Sequence, residues 1–401
     1  MLTPLDITQE PRTLGSLGGR LARAGWALFV VGGGAAALLG VTAGDGGRSF
    51  FFAYLVNFAY MLSLALGALF FVMVQHVTHA GWSVVVRRLA EGIAQTMPLL
   101  AVLFVPLVVA LPKLYRWTGT EAVAADPLLA GKAAYLNVPF FVARWVVYLA
   151  VWIWLARFFF RRSVAQDSSA DPLETVALQR RGALGIVLYA FTVTFASFDL
   201  LMSLEPDWYS TIFGVYYFSG AMVGLFALLP LMVWWLQRRG LLTRAVTREH
   251  YHDMGKLLFA FIVFWAYIAF SQYMLIWYGN IPEETAFYLR RQTGGWGWIG
   301  LVLVFGHFLV PFAALLSRVP KRRPGLLAAV SVWVLLMHWV DVYWLVIPQE
   351  STALSLPLVD VAVLVAFAGA MTVWTARVLG KVSLIAEGDP RLAESMTFEN
   401  A

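Results

Sequence analysis

Thr194–Gly220, TFASFDLLMSLEPDWYSTIFGVYYFSG, decides how the chain reads. Asp199 stands inside an apolar run, the chain turns through Leu204-Glu205-Pro206-Asp207-Trp208-Tyr209, and a second apolar run follows. An ionised carboxylate in hydrocarbon costs several kcal/mol or more, so such a residue is paired, protonated or turned to a wet cavity. The segment therefore reads as two membrane helices joined by a short polar hinge, with Asp199 a candidate functional group.

Composition extends this reading to the whole chain. Of 401 residues, 60% are hydrophobic and 13% charged, against roughly 25% charged in a soluble domain. There is no Cys, which excludes disulfides, thiolate-held iron-sulfur clusters and Cys-based zinc sites. Any redox cofactor held by this chain alone would need its six His residues. The net charge of +6 is spread beside the apolar runs, a pattern that topology explains and nucleic-acid binding does not. Met1–Arg23 is polar and Gly-rich and lacks a signal-peptide cleavage pattern, so it is expected to be retained.

About 20 apolar residues cross a bilayer, and ten such runs occur, near 23–43, 50–76, 92–111, 138–160, 182–203, 210–236, 255–278, 297–317, 325–347 and 356–379. Their length makes them helices rather than barrel strands. The expected fold is all-α and integral to the membrane, with a segment 1–22 before the membrane domain 23–379 and a tail 380–401 after it. Both termini and the 2–3, 4–5, 6–7 and 8–9 connections carry 22 of the 29 Lys and Arg, the other side six, and Arg144 lies inside helix 4. The basic side, with Arg161-Arg162, Arg180-Arg181, Arg238-Arg239 and Lys321-Arg322-Arg323, reads as cytoplasmic, and both termini with it. Arg161–Arg181 is expected to be the longest loop there, and Pro112–Asn137 the longest on the opposite side.

Pro98, Pro106, Pro230 and Pro311 favour kinks, and Gly32-Gly33-Gly34 favours close helix packing rather than nucleotide binding. Aromatic pairs such as Trp277-Tyr278 read as interfacial belts. No phosphate loop, dinucleotide fingerprint, nucleophile elbow or HExxH sequence is present.

The polar residues within the runs carry the chemistry. Counting along the helices puts Arg144, Asp199, Gln272, Asp341 and Asp360 in the outer half, His307 and His338 near mid-membrane, and His76 at the inner end of helix 2. Titratable groups at several depths are what a proton relay needs, so His76, Asp199, His307, His338 and Asp341 are the candidate path. His338 and Asp341, three residues apart on one helix face, can exchange a proton or simply lock the packing. Arg144 and Asp199, at one depth on consecutive helices, are a candidate ion pair, which would hold the Asp199 proton off. His307 and His338 could ligate a haem iron from two sides, but nothing else about helices 8 and 9 requires it. The His250-Tyr251-His252-Asp253 run reads as a solvated loop before it reads as a metal site.

Four blocks resemble a known family: FDLLMSLEPDWYSTIFGVYYFSG (198–220), HDMGKLLFAFIVFWAYIAFSQYMLIWYGNIPEET (252–285), GHFLVPFAALLSR (306–318) and HWVDVYWLVIP (338–348). They are similar to the ActF-like subunits of bacterial alternative complex III, membrane proteins of the polysulfide-reductase/NrfD type. The resemblance implies two four-helix bundles, helices 2–5 and 6–9, flanked by helices 1 and 10. It implies a respiratory quinol:cytochrome c or quinol:oxygen-reductase-linked oxidoreductase of the bacterial inner membrane, in which this subunit structures the membrane arm. The implied partners are a paralogous ActC-like membrane subunit, a multihaem cytochrome subunit, an iron-sulfur subunit, small membrane subunits and a terminal oxygen reductase where one is attached. Haem c and iron-sulfur clusters would then belong to those partners and none to this chain alone, with a quinone or lipid left open as a ligand. Two rival readings are a stand-alone secondary transporter, which would purify without haem-bearing partners, and a purely architectural subunit.

Overall fold

The computed structural model describes residues 10–400. Its ten membrane-spanning helices are α1 (Ser16–Thr42), α2 (Arg48–Val77), α3 (Val84–Leu114), α4 (Val138–Ser169), α5 (Pro172–Leu204), α6 (Phe213–Gln237), α7 (Arg248–Gly279), α8 (Trp296–Leu316), α9 (Pro324–Gln349) and α10 (Leu358–Leu379). The chain is an all-α, multi-pass membrane protein. Both ends of the described chain lie on one face, where the Leu384 N–H donates to the Arg12 carbonyl over 2.7 Å.

The helices pack as two four-membered groups, α2–α5 and α6–α9, joined where α2 meets α6 and α9 and where α5 meets α6. Accordingly α2 is buried along nearly its whole length. Helices α1 and α10 form a tight pair that rests on α2. Of the glycine run in α1, Gly32 alone makes the contact, its absent Cβ leaving room for the Ala366 backbone, while Gly33 and Gly34 face open space.

Three features depart from the sequence reading. Helix α1 begins at Ser16 rather than near Arg23, because a polar helix end can run past the lipid boundary. Likewise α3 begins at Val84, eight residues before its apolar run, and breaks at Gln95-Thr96 just ahead of Pro98. The expected long loop Arg161–Arg181 is helical except at Ala170-Asp171, with Ala170 in the left-handed region (φ 49°) and Asp171 capping α5 by accepting from the Leu173 N–H. The stretch Val84–Ala94 stays helical because it is covered by other parts of the chain. Arg87 donates to Asp389 over 2.6 Å, and Arg88 donates to Asp167 over 2.8 Å and meets Glu91 over 3.0 Å. The tail after α10 is thus folded against α3 and α4.

Helix α8 carries a π turn over Leu303–Leu309, in which the Val310 N–H reaches the Phe305 carbonyl. Pro311 explains its position: it has no N–H to offer the His307 carbonyl in an α register, so a wider turn is less disfavoured there.

Candidate functional site

Asp341, 1% exposed on α9, is the centre of a buried polar group inside the second bundle. Its Oδ1 accepts from the Tyr216 hydroxyl of α6, and its Oδ2 accepts from the Trp265 indole N–H of α7 over 3.1 Å. Both donors are neutral, and no cation pairs with this carboxylate among the described residues. His307, on the π turn, stacks on Trp265 with ring centroids 4.1 Å apart. His338 bonds through Nε2 to the Ser63 hydroxyl of α2 over 2.8 Å, while its Nδ1 and both nitrogens of His307 have no hydrogen-bond partner among the described residues.

The room for these groups comes from α6. A Cβ on Gly220 would lie 2.9 Å from His338 Cε1 and 3.8 Å from Asp341 Oδ2, and one on Gly224 would lie 2.9 Å from His338 Cδ2. Two glycines four residues apart thus admit the imidazole against the α6 backbone. His338 and Asp341 share a helix face, as their spacing requires, yet no hydrogen bond joins them. Each is bonded instead to neighbouring helices, Asp341 to α6 and α7 and His338 to α2.

The remaining candidates lie elsewhere. In the first bundle, Arg144 grips Asp199 with two bonds of 2.8 Å, and the Tyr148 hydroxyl adds a third at 3.1 Å. That carboxylate has a cation and three donors and is poorly placed to carry protons. His76 is fully buried near the face carrying the termini, stacked on Phe159, with neither ring nitrogen bonded among the described residues. The His250–Asp253 run is not a solvated loop: it forms the first turn of α7, with His250 buried and bonded to the Ser395 carbonyl over 3.0 Å. The His307 and His338 rings lie edge to face with centroids 6.2 Å apart, and Trp265 covers one face of His307.

No protein-family model and no curated protein matches the chain.

Sequence reasoning missed Ser63, Tyr216 and Trp265. The available signal was the Gly220-xxx-Gly224 spacing, with Tyr216 one turn earlier on the same face. It also missed the buried Arg291, which donates to Glu205 over 2.6 Å and ties the α7–α8 connection to the hinge after α5.

Just past the end of α9, burial pushes Glu350 up to about 7 from 4.5, helped by the negative charge of Asp45 and opposed by Arg48. The folded protein then holds a proton that the unfolded chain releases, so this contribution is full below the unfolded pKa and lost as pH rises through the folded one. Unfolding temperature is expected to fall between about pH 5 and pH 8, and Glu350→Gln to flatten that part of the profile. An unchanged profile in the variant would assign the slope to other groups.

Proposed function

We propose that this chain is a membrane subunit of a quinol-oxidising respiratory assembly of the alternative complex III type, building part of its membrane arm and passing protons through the Asp341 cluster. The observation that carries the proton-transfer reading is a fully buried carboxylate held only by neutral donors. A carboxylate paired with arginine would stay ionised; one held by a hydroxyl and an indole can cycle between its two states with little rearrangement.

The steps follow from the side chains. With Asp341 ionised, Tyr216 and Trp265 hold both of its oxygens. Once protonated, it shares a helix face with His338, and both His338 Nδ1 and Asp341 Oδ2 border Gly220. His338 passes a proton through its ring, taking it at Nδ1 and releasing it from Nε2 toward Ser63. His307 lies beside this route and His76 nearer the face carrying the termini, where 22 of 29 Lys and Arg support a cytoplasmic orientation. Electron transfer falls in this reading to partner subunits with haem c and iron-sulfur clusters, including an ActC-like paralogue, and the setting is the bacterial inner membrane.

Asp341→Asn keeps one acceptor oxygen, for Trp265, and an amide N–H to donate to the Tyr216 hydroxyl, but cannot carry the proton, and Asp341→Leu removes both acceptor and proton carrier. In the intact complex in vesicles, both variants should assemble and slow proton uptake coupled to quinol oxidation by about 10²-fold, as loss of a positioned acid–base group does. Assembled variants with unchanged proton stoichiometry would sink the relay and leave an architectural subunit.

A further inference from the structure

We propose that the cleft between α7 and α8 binds the planar ring of a neutral amphiphile drawn from the lipid phase, with Tyr216 and Trp265 as its inner wall. The cleft encloses about 520 Å³, within the range of small-molecule sites. It exists because α8 packs on α7 along its π turn and the residues after it, while Trp296–Val302 stands off. Small residues keep it open: Ala266 and Ala269 line one side and Gly297 and Gly300 the other, and a Cβ on Gly300 would meet nothing within 4 Å.

Three observations fix the chemistry of the occupant. Phe270, Leu301 and Val304 at the cleft are 63%, 47% and 51% exposed within membrane-spanning helices, so entry is from lipid rather than from water. The aromatic side chains of Trp265, Tyr273, Phe308 and Trp344 line it, offering faces and edges suited to a flat conjugated ring. Among the described residues, the one charged side chain lining it is Arg291, and its guanidinium is spent on Glu205 and the carbonyls of Phe287, Trp344 and Leu345. No charge remains for an ionic head group, so the ligand is neutral. Tyr288, also in the wall, accepts from Gln272 over 3.1 Å and keeps its own hydroxyl proton for a ring oxygen.

The inner wall gives the site its consequence. Tyr216 and Trp265 are also the two donors to Asp341, so occupancy of the cleft and the proton on Asp341 are coupled through shared residues, each shifting the other. That coupling rests on the proton-transfer reading; the binding does not, because it is measured without turnover.

The test uses the full-length protein in lipid nanodiscs, a photoreactive azido-decylquinone as ring-bearing probe, and peptide mapping of the adducts. Labelling should concentrate at 265–273 and 297–309, saturate, and fall about tenfold with excess decylubiquinone but not with excess phosphatidylglycerol. Ala269→Trp and Gly300→Phe should fill the cleft and give the same loss; where one fails to fold, the other and the wild-type competition decide. Labelling spread without saturation over lipid-facing residues such as Val30 and Val31 would overturn the proposal. So would equal competition by phosphatidylglycerol, which makes the occupant an ordinary acyl chain.

Discussion

Arg144→Leu should destabilise the folded protein by about 3–5 kcal/mol, the cost of leaving a buried charge without its partner. Asp199 is 0% exposed and Arg144 only 9%, so water cannot replace the lost cation. What remains for the carboxylate is Tyr148, one neutral donor at 3.1 Å. The arginine also sits on the rings of Tyr135 and Phe140, with its guanidinium carbon 3.8 and 4.3 Å from their centroids, and donates to the Tyr135 carbonyl over 2.9 Å. Asp199→Asn should therefore cost less, because Arg144 keeps these contacts and an amide oxygen to bond. The double variant Arg144→Leu/Asp199→Leu should recover most of the loss, since neither charge is then buried alone. Unfolding followed by tryptophan fluorescence in detergent measures all three. An Arg144→Leu protein as stable as wild type would mean that Asp199 is already neutral in the fold.

This pair also marks what a sequence can disclose about such a protein. Helix number follows from run length alone, because hydrocarbon leaves a polar backbone few ways to cross it. Depth follows from counting along each helix, which put Arg144 and Asp199 level on consecutive helices. Neither step identifies the residues that face Asp341, because its donors stand on α6 and α7 and its contacts depend on how helices rotate and cross. Tyr216 and Trp265 further resemble the belt residues that occur at every interface, and an indole or a phenol in an apolar run announces no role. The helical start at Val84 was hidden for a different reason. Arg87, Arg88 and Glu91 look like loop residues until the tail's Asp389 and Asp167 of α4 are brought over them. The π turn could have been suspected at Pro311, but a proline in a membrane helix permits a plain kink as readily.

Gly67→Leu should be strongly damaging, because it acts where the two bundles meet. Gly67 lies on α2 against α6, and a Cβ there would run into the Ala221 carbonyl and come within 3.1 Å of Leu225 Cβ. A backbone carbonyl cannot turn aside as a side chain does, so α2 and α6 must separate along their crossing. Overpacking costs about 1–3 kcal/mol, and more where backbone must move; a leucine here should lie at or above the top of that range. Gly67→Ala should show a smaller effect of the same sign. Gly33→Ala is the matched control: its Cβ enters open space, and loss of a helix-interior glycine should leave stability unchanged or raise it by up to about 1 kcal/mol. Leu225→Ala should rescue Gly67→Leu only in part, since it removes the side chain beyond Cβ but leaves the Leu225 Cβ and the Ala221 carbonyl in place. Full rescue would locate the strain in side chains and show that the α2–α6 backbone spacing is adjustable. The separation should also reach the Asp341 cluster, because Ser63 stands one turn before Gly67 on α2 and holds His338 Nε2. A variant that still assembles should therefore lose proton uptake before it loses the fold.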